Sequence, residues 1–580
     1  MLFDPLPAGH RTIGERYRLL HLRTVLSKDS TAVLSLTVVW LLVELLIHPA
    51  GEFPLNDDWS YTRSLQQWYE IHHYNLLGWT SMPLAAHLVW GMVFCKIFGF
   101  SFTVLRYSTL ALGCIGGIGA FFLSREFSEN KAACFFTALI LLLNPIYLNL
   151  SNTFMTDVPF TSFLILSILF FVKGLRQDRL TYIIQGIFFI LIATMIRQLG
   201  LLAAGAFSIA LLIKGGFTKR SLFISVLATG LPVGVYLLYN HWLGTQHIYP
   251  VKYDEGFHRI QHNLFGTDHS TFKYLLRQAL NIFVYAGFFI FPLIFRASRT
   301  AIWRSRRSPA FLICIVVMAG IGIYCLVHRN NIPLMGNVMN PYGIGPVDMR
   351  DVTILGMDHI QPLPAVVWQL LCLLGIIGGG VLLWAMINSI RNVQKNDRPS
   401  LWFLLCFAIA YCLVMLVGGT YDRYLIPLIP VLSVLLLTGL PEQDDSKPPV
   451  NKELGRYAAV FFFLMGAWFS VAGTANYLSW NRARWSALRF LTHEAGIPPT
   501  RIDGGFEFNG YYNYNDADIT LLKEKADPAK KSWWWVQDDE YMVTFGPVKG
   551  YKVLKTFPCH HTFFPFSSSS ENIFVLKRML

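Results

Sequence analysis

The feature that most constrains this chain is a succession of apolar blocks of roughly 17–25 residues, the length that carries a helix across about 30 Å of hydrocarbon. Inside a bilayer every backbone N–H and C=O must be paired within the protein, so such blocks become helices. They fall at residues 31–48, 102–123, 132–148, 159–175, 182–196, 199–213, 222–239, 280–295, 310–327, 365–387, 401–417, 424–440 and 457–473, about thirteen in all. Composition agrees: 54% of the residues are hydrophobic and 14% charged, where a soluble chain is roughly a quarter charged. The chain therefore reads as a polytopic α-helical membrane protein embedded in a lipid bilayer.

One further block, 83–98, decides the topology. If it crosses fully, the basic groups Lys173/Arg176/Arg179, Lys214/Lys219/Arg220 and Arg296/Arg299/Arg304/Arg306/Arg307 all fall outside. If it lies in the interface, those groups fall inside together with Arg391/Lys395/Arg398, as the positive-inside rule requires. Its His87 and Lys96 also suit an interfacial helix. Block 83–98 is thus read as juxtamembrane, within a large first external loop at 49–101. The basic stretch Arg11, Arg16, Arg18, Arg23 and Lys28 precedes the first apolar run, so the N-terminus is expected to stay cytoplasmic and is not read as a cleavable signal peptide.

An odd number of spans places the C-terminal segment outside. That gives two expected domains: a transmembrane module at 1–475 and a small extracytoplasmic α/β domain at 476–580. The second opens on a helix-like run at 482–495 and continues with β-rich runs at 541–545, 551–557 and 572–576. No internal repeat and no long disordered segment is evident.

The net charge of +13 does not point to nucleic acid, because the basic residues sit in short loops between apolar blocks, with no basic patch interleaved with stacking aromatics. Eight of the nine cysteines lie in or beside apolar segments without metal-like CxxC spacing, and read as small buried hydrophobes. Cys559 stands alone in the C-terminal region, so no internal disulfide is expected there. No HxxxH or HExxH spacing suggests zinc, and no Walker A or GxGxxG motif suggests a nucleotide.

Two acidic sites flank hydrophobic helices: Asn56-Asp57-Asp58-Trp59 after the first block, and Met155-Thr156-Asp157-Val158-Pro159 between two later ones. Carboxylates beside a bilayer are costly unless they face water, a cation or a substrate. Both sites fall on the external face, which suggests a polar cavity there. Adjacent carboxylates at Asp57 and Asp58 suit either a general base or a divalent cation; the plainer alternative is a solvated loop or a cap for the run at 61–69. The neighbouring Trp59, Tyr61, Trp68, Tyr69 and Trp79 fit an interfacial belt or a sugar-stacking surface. Thr156 or Asp157 also suits a helix cap, with Pro159 in the first turn. Arg106, Arg197 and Arg423 lie at outer ends of spans and could clamp a lipid-linked phosphate, or snorkel to headgroups. Arg197 stands out because it interrupts a nearly continuous apolar run from 182 to 213. His72, His73, His328 and His359 are external as well, and Tyr61, His73 and Tyr424 complete the substrate-binding candidates.

Taken together, Asp57-Asp58 in a large first loop, Lys96-Ile-Phe-Gly-Phe ahead of Arg106-Tyr, Met-Thr-Asp157-Val-Pro and Tyr421-Asp-Arg-Tyr-Leu-Ile-Pro-Leu-Ile-Pro430 resemble the bacterial membrane glycosyltransferases of the GT-C class. The group they resemble most is the protein-O-mannosyltransferase and aminoarabinose-transferase superfamily. The resemblance covers the first 200 or so residues and the twelfth span; the middle spans match only in hydropathy. It implies the GT-C fold and an inverting transferase in the bacterial inner membrane, moving sugar from a polyprenyl-phosphate donor to a lipid, glycan or protein acceptor. It implies that Asp57 or Asp58 is the general base, that Asp157 is the second acidic residue, and that Arg106 and, more loosely, Arg423 bind donor phosphate. Family members usually carry Asp-Glu where this chain has Asp-Asp, so the identity of the base stays open. No cofactor is implied with certainty, and a divalent cation remains open. The rival readings are a flippase or transporter of lipid-linked saccharides, a polymerase or ligase acting on them, and a non-catalytic scaffold.

Overall fold

The computed structural model describes residues 13–266, 269–296, 308–328, 332, 336–392, 397–440, 450–515, 533–559 and 571–579. Arg11, Arg299, Arg304, Arg306, Arg307 and Lys395 lie outside the described residues. Among the described residues eleven helices are long and apolar enough to cross a membrane, so this is a multi-pass membrane protein. A twelfth span results if Lys131–Leu142 and Pro145–Ser151, bent by 61°, count as one. The bend has a local cause. Asn144 accepts hydrogen bonds from the amides of Ile146 (3.0 Å) and Tyr147 (3.2 Å), capping a new helix that opens with Pro145. The remaining expected block forms Leu180–Ile196, a 17-residue apolar helix just under span length.

The block at 83–98 folds as Ala85–Phe98, whose 14 residues rise only about 21 Å. His87 is not at a water interface as expected but fully buried, donating from Nε2 to the carbonyl oxygen of Phe154 at 3.1 Å and stacked on the Phe154 ring. The helix is therefore folded onto the 153–156 turn. The first loop also returns to the end it left: Asp29, at the start of the first span, lies 3.6 Å from Arg125 at the end of the next.

Charged loops gather at that Asp29 end. Lys131 also reaches Asp29 (3.1 Å), Lys173 reaches Glu126 (3.9 Å), Arg176 reaches Asp397 (2.8 Å) and Arg220 reaches Asp178 (3.4 Å). Each such surface pair is worth little alone; together they bring one end of six helices into a single basic-rich cap.

At the opposite end, helix Val450–Arg489 runs 40 residues unbroken, across the expected 475/476 boundary. Beyond it lies a four-stranded sheet of Ile502–Asp503, Tyr541–Thr544, Tyr551–Pro558 and Asn572–Arg578. In space the first strand pairs parallel with the second, the second antiparallel with the fourth, and the fourth antiparallel with the third, with a bulge between Val553 and Lys555.

This region is welded to the first loop. Arg484 donates to Glu507 at 2.8 Å with both side chains fully buried, and Glu507 accepts the Asn56 amide at 3.2 Å. Arg63 reaches the carbonyl oxygens of Gly510 (3.3 Å) and Tyr514 (3.2 Å). Trp59 and Leu77 of the first loop share a core with Phe506, Tyr514 and Trp535. Gly510 lies so close to Trp59 that a Cβ there would sit 2.5 Å from the indole.

Candidate active site

The two adjacent carboxylates of the first loop point in different directions. Asn56 takes a left-handed conformation (φ 58°), which asparagine tolerates better than most residues, and the chain then turns into helix Asp58–Ile71. Asp58 faces inward, 2% exposed, accepting from the amides of Leu55 (2.6 Å) and Phe154 (2.9 Å). Burial raises its pKa to about 7 against the lowering effect of those two hydrogen bonds. Asp57 faces a cavity of about 820 Å³ instead. One of its oxygens accepts from the Trp79 indole at 3.0 Å and the other from Arg423 at 3.1 Å.

Arg423 reaches the cavity because of the residue before it. Asp422 is buried and accepts the amides of Val338 (3.3 Å), Met339 (2.7 Å) and Arg423 itself (2.7 Å), pinning the Tyr-Asp-Arg-Tyr turn to the 336–349 segment. The guanidinium lies over the rings of Tyr421 and Tyr424. Its Nε and Nη1 are buried and hydrogen-bond to none of the described residues.

Arg197 arrives from another direction. Helix Leu180–Ile196 ends there, Arg197 is extended (φ −141°, ψ 130°), and a short 3₁₀ turn leads into Leu201–Gly215. The side chain donates to Thr156 Oγ1 and pairs with Asp157, both at 2.8 Å. Asp157 is the first residue of its helix and is 2% exposed; Thr156 precedes it with no side-chain cap bond, so the capping expectation is not met. Asp157 thus stands behind Arg197 rather than on the cavity wall.

Of the nine residues singled out from the sequence, Asp57, Tyr61, Arg197, Arg423 and Tyr424 line one cavity, with Asp157 behind Arg197. Asp58 belongs to the packing beneath it. Arg106 is not brought to the cavity: its guanidinium is buried, over the Phe53 ring, and donates to the carbonyl oxygens of Pro49, Gly51 and Phe53. Loop carbonyls accept from its Nη1 and Nη2, while its buried Nε hydrogen-bonds to none of the described residues. His73 is exposed and does not line the cavity.

The cavity also contains residues that sequence reasoning passed over. Asp348 is half-buried on its wall, and Lys252 lies 2.8 Å from the centroid of the Trp79 ring. Phe506 and Trp534 come from the C-terminal region. Nothing in the spacing of Asp348 marks it; Asp422 pins the segment at Val338 and Met339, and the Phe506 amide donates to the Asp348 carbonyl oxygen at 3.1 Å. No three His, Cys, Asp or Glu side chains converge as a metal site among the described residues. Each oxygen of Asp57 accepts one N–H bond and keeps a further lone pair.

The fold and site define a class: a multi-pass helical protein whose cavity brings Asp57 together with Arg197 and Arg423. Residues 81–239 match the family described as dolichyl-phosphate-mannose-protein mannosyltransferase, within the superfamily that the motifs resemble. No match to a curated protein is found. Among solved structures, ArnT from Cupriavidus metallidurans bound to undecaprenyl phosphate is similar at 12% identity and TM-score 0.44, covering 94% of this chain and 97% of that one. The archaeal oligosaccharyltransferase AglB from Archaeoglobus fulgidus, in complex with an inhibitory peptide and a dolichol-phosphate, shows 14% identity and TM-score 0.41 over 79% and 58% of the two chains. The Pmt1-Pmt2 protein O-mannosyltransferase complex of S. cerevisiae, bound to the sugar donor, shows 14% identity and TM-score 0.32 over 38% and 34%. These likenesses are remote; the family match over 81–239 is the firmer finding.

Proposed function

We propose that the chain is an inverting glycosyltransferase of the GT-C class, moving a sugar from a polyprenyl-phosphate donor to an acceptor hydroxyl in this cavity. The observation that carries the reading is that Asp57, paired with Arg423, shares one cavity with the guanidiniums of Arg423 and Arg197. A phosphate needs such charge-assisted donors, and an acceptor hydroxyl needs a carboxylate within reach. The family match and the polyprenyl-type phosphates bound by two of the similar proteins point the same way.

In this reading the donor phosphate accepts from Arg423 and Arg197, whose own position is fixed by Asp157. Asp57 takes the proton of the acceptor hydroxyl as its oxygen attacks the anomeric carbon from the face opposite the phosphate. The anomeric C–O bond breaks, polyprenyl phosphate leaves with its charge offset by the two guanidiniums, and the anomeric configuration inverts. Tyr61 and Tyr424 close the wall around the reacting atoms. The cavity faces the extracytoplasmic side of a bacterial inner membrane. Transmembrane residues 1–475 carry the chemistry, and residues 476–580 complete one wall of the cavity.

Turnover of radiolabelled undecaprenyl-phosphate sugars by the full-length protein tests this. Asp57→Asn is expected to lower kcat by about 10²–10⁴-fold, the scale of a lost general base. Wild-type turnover by that variant, or no consumption of any such donor by the wild type, would overturn the reading.

A further inference from the structure

We propose that the part of the cavity bounded by Trp79, Phe506, Trp534 and Asp348 is the acceptor subsite, and that it receives a pyranose ring of a saccharide acceptor. The assignment rests on the transferase reading and narrows it. The cavity is asymmetric about Asp57. On one side stand the guanidiniums of Arg423 and Arg197, which suit an anion. On the other stand the rings of Trp79, Phe506 and Trp534 and the carboxyl group of Asp348, with the Lys252 ammonium over the Trp79 ring. An acceptor must reach Asp57 from the side the donor phosphate does not fill.

That wall is assembled from three distant segments. The ring centroids of Trp79 and Phe506 are 5.9 Å apart at 59°, and those of Phe506 and Trp534 are 5.8 Å apart at 63°, so the three rings form one cluster of inclined faces. Trp534 and Trp535 both adopt left-handed backbone (φ 50° and 59°), a costly conformation for two bulky residues in succession. Its consequence is visible: Trp535 is buried against Trp59 while Trp534, one residue earlier, lines the cavity. The C–H bonds on one face of a pyranose carry partial positive charge and pack on the negative face of an aromatic ring. Such a ring also presents hydroxyls, which need a hydrogen-bonding partner once water is excluded.

Asp348 supplies that partner. Its carboxyl oxygens hydrogen-bond to none of the described residues. Burial and the neighbouring charges of Glu507 and Asp57 raise its pKa to about 8, with Arg484 opposing. A carboxyl raised in this way takes up a proton more readily than a free one, and in that form it both donates to and accepts from sugar hydroxyls without adding a second negative charge beside Asp57. A peptide acceptor fits less well. None of the cavity-lining residues belongs to a strand, so an extended chain finds no sheet edge to pair with.

Saturation-transfer NMR on the full-length protein in detergent tests the subsite directly. The probes are methyl glucoside, methyl galactoside and methyl mannoside, with a Ser/Thr-containing octapeptide as the competing class. At least one glycoside should receive saturation at its ring protons. Trp534→Ala should reduce it about fivefold or more, while Trp534→Phe, which keeps a π face, should largely retain it. Asp348→Asn should weaken the same glycoside by about tenfold or less. A signal from the peptide alone, or equal glycoside signals in wild type and Trp534→Ala, overturns the assignment. Undecaprenyl phosphate binding, followed by thermal shift, reports on the transferase reading separately. Phosphate binding without glycoside binding removes the acceptor subsite alone, whereas glycoside binding without phosphate binding removes the transferase reading and with it the acceptor role.

Discussion

At the scale of single residues, neighbours in sequence have separated roles, and each separation is testable. Asp57 and Asp58 differ in what their oxygens meet: a cavity, Trp79 and Arg423 for one, two backbone amides for the other. Asn at 58 would offer one acceptor oxygen where two amides need partners, so Asp58→Asn should lower unfolding stability by about 1–3 kcal/mol; a comparable thermal midpoint in wild type and variant would count against this. Burial also gives Asp58 a pH signature. Its carboxyl is raised from 3.8 to about 7 in the folded protein, so the native state holds that proton more tightly than the unfolded chain. Its contribution is full below about pH 4 and is lost as pH rises through about 7. Denaturant titrations across that window should show the loss in wild type and a flatter profile in Asp58→Asn. The arginines divide in the same way. Arg423→Gln should raise KM for the donor by about 10–100-fold, the worth of charged hydrogen bonds. Arg106→Gln should instead lower stability by about 1–3 kcal/mol and leave donor KM nearly unchanged, because its partners are loop carbonyls. The sequence displays a carboxylate or an arginine at a span's end. It does not display whether backbone groups have already claimed the side chain, and for Asp58 and Arg106 that depends on partners packed against it.

At the scale of elements, breaks in the apolar pattern position the site. Arg197 ends one helix and begins a 3₁₀ turn, and that interruption of an apolar run was legible because a charge within such a run is costly. The strands at 541–544, 551–558 and 572–578 were legible from β-rich composition. Two elements were not. The Asn144-Pro145 bend hides inside a block whose average hydropathy is uniform. Helix Phe506–Asn513, Phe-Glu-Phe-Asn-Gly-Tyr-Tyr-Asn, has poor intrinsic propensity and is held by the Arg484–Glu507 pair and by Trp59 packing, which are tertiary facts. The 336–349 segment is likewise set from a distance, by Asp422. Asp422→Ala would leave the amides of Val338 and Met339 buried without their carboxylate, at about 1–3 kcal/mol each. Hydrogen exchange should therefore speed up at residues 338–339 while helix Asp157–Gln177 stays protected. Unchanged exchange at 338–339 would show that Asp422 is not what pins the segment.

At the scale of the whole molecule, charge is sorted between the two ends. The cap built from Asp29, Arg125, Lys131, Lys173, Arg176, Arg220 and their partners lies at one end of the spans. The cavity and the C-terminal sheet lie at the other. Moving a basic loop outward against a membrane potential costs about 2.3 kcal/mol per charge per 100 mV. Several such loops on one cap multiply that cost, so the cap should remain cytoplasmic and the cavity should face outward. The same sorting bears on the proposed mechanism: a cavity facing away from the cytoplasm suits a lipid-carried sugar rather than a cytoplasmic nucleotide sugar. In a cysteine-free background, a membrane-impermeant maleimide added to intact cells should label His73→Cys on the first loop. It should spare Asp178→Cys, whose position is well exposed (63%) at the cap, until the membrane is opened. The opposite pattern would invert the molecule, turn the cavity toward the cytoplasm, and remove the reason for a lipid-linked donor.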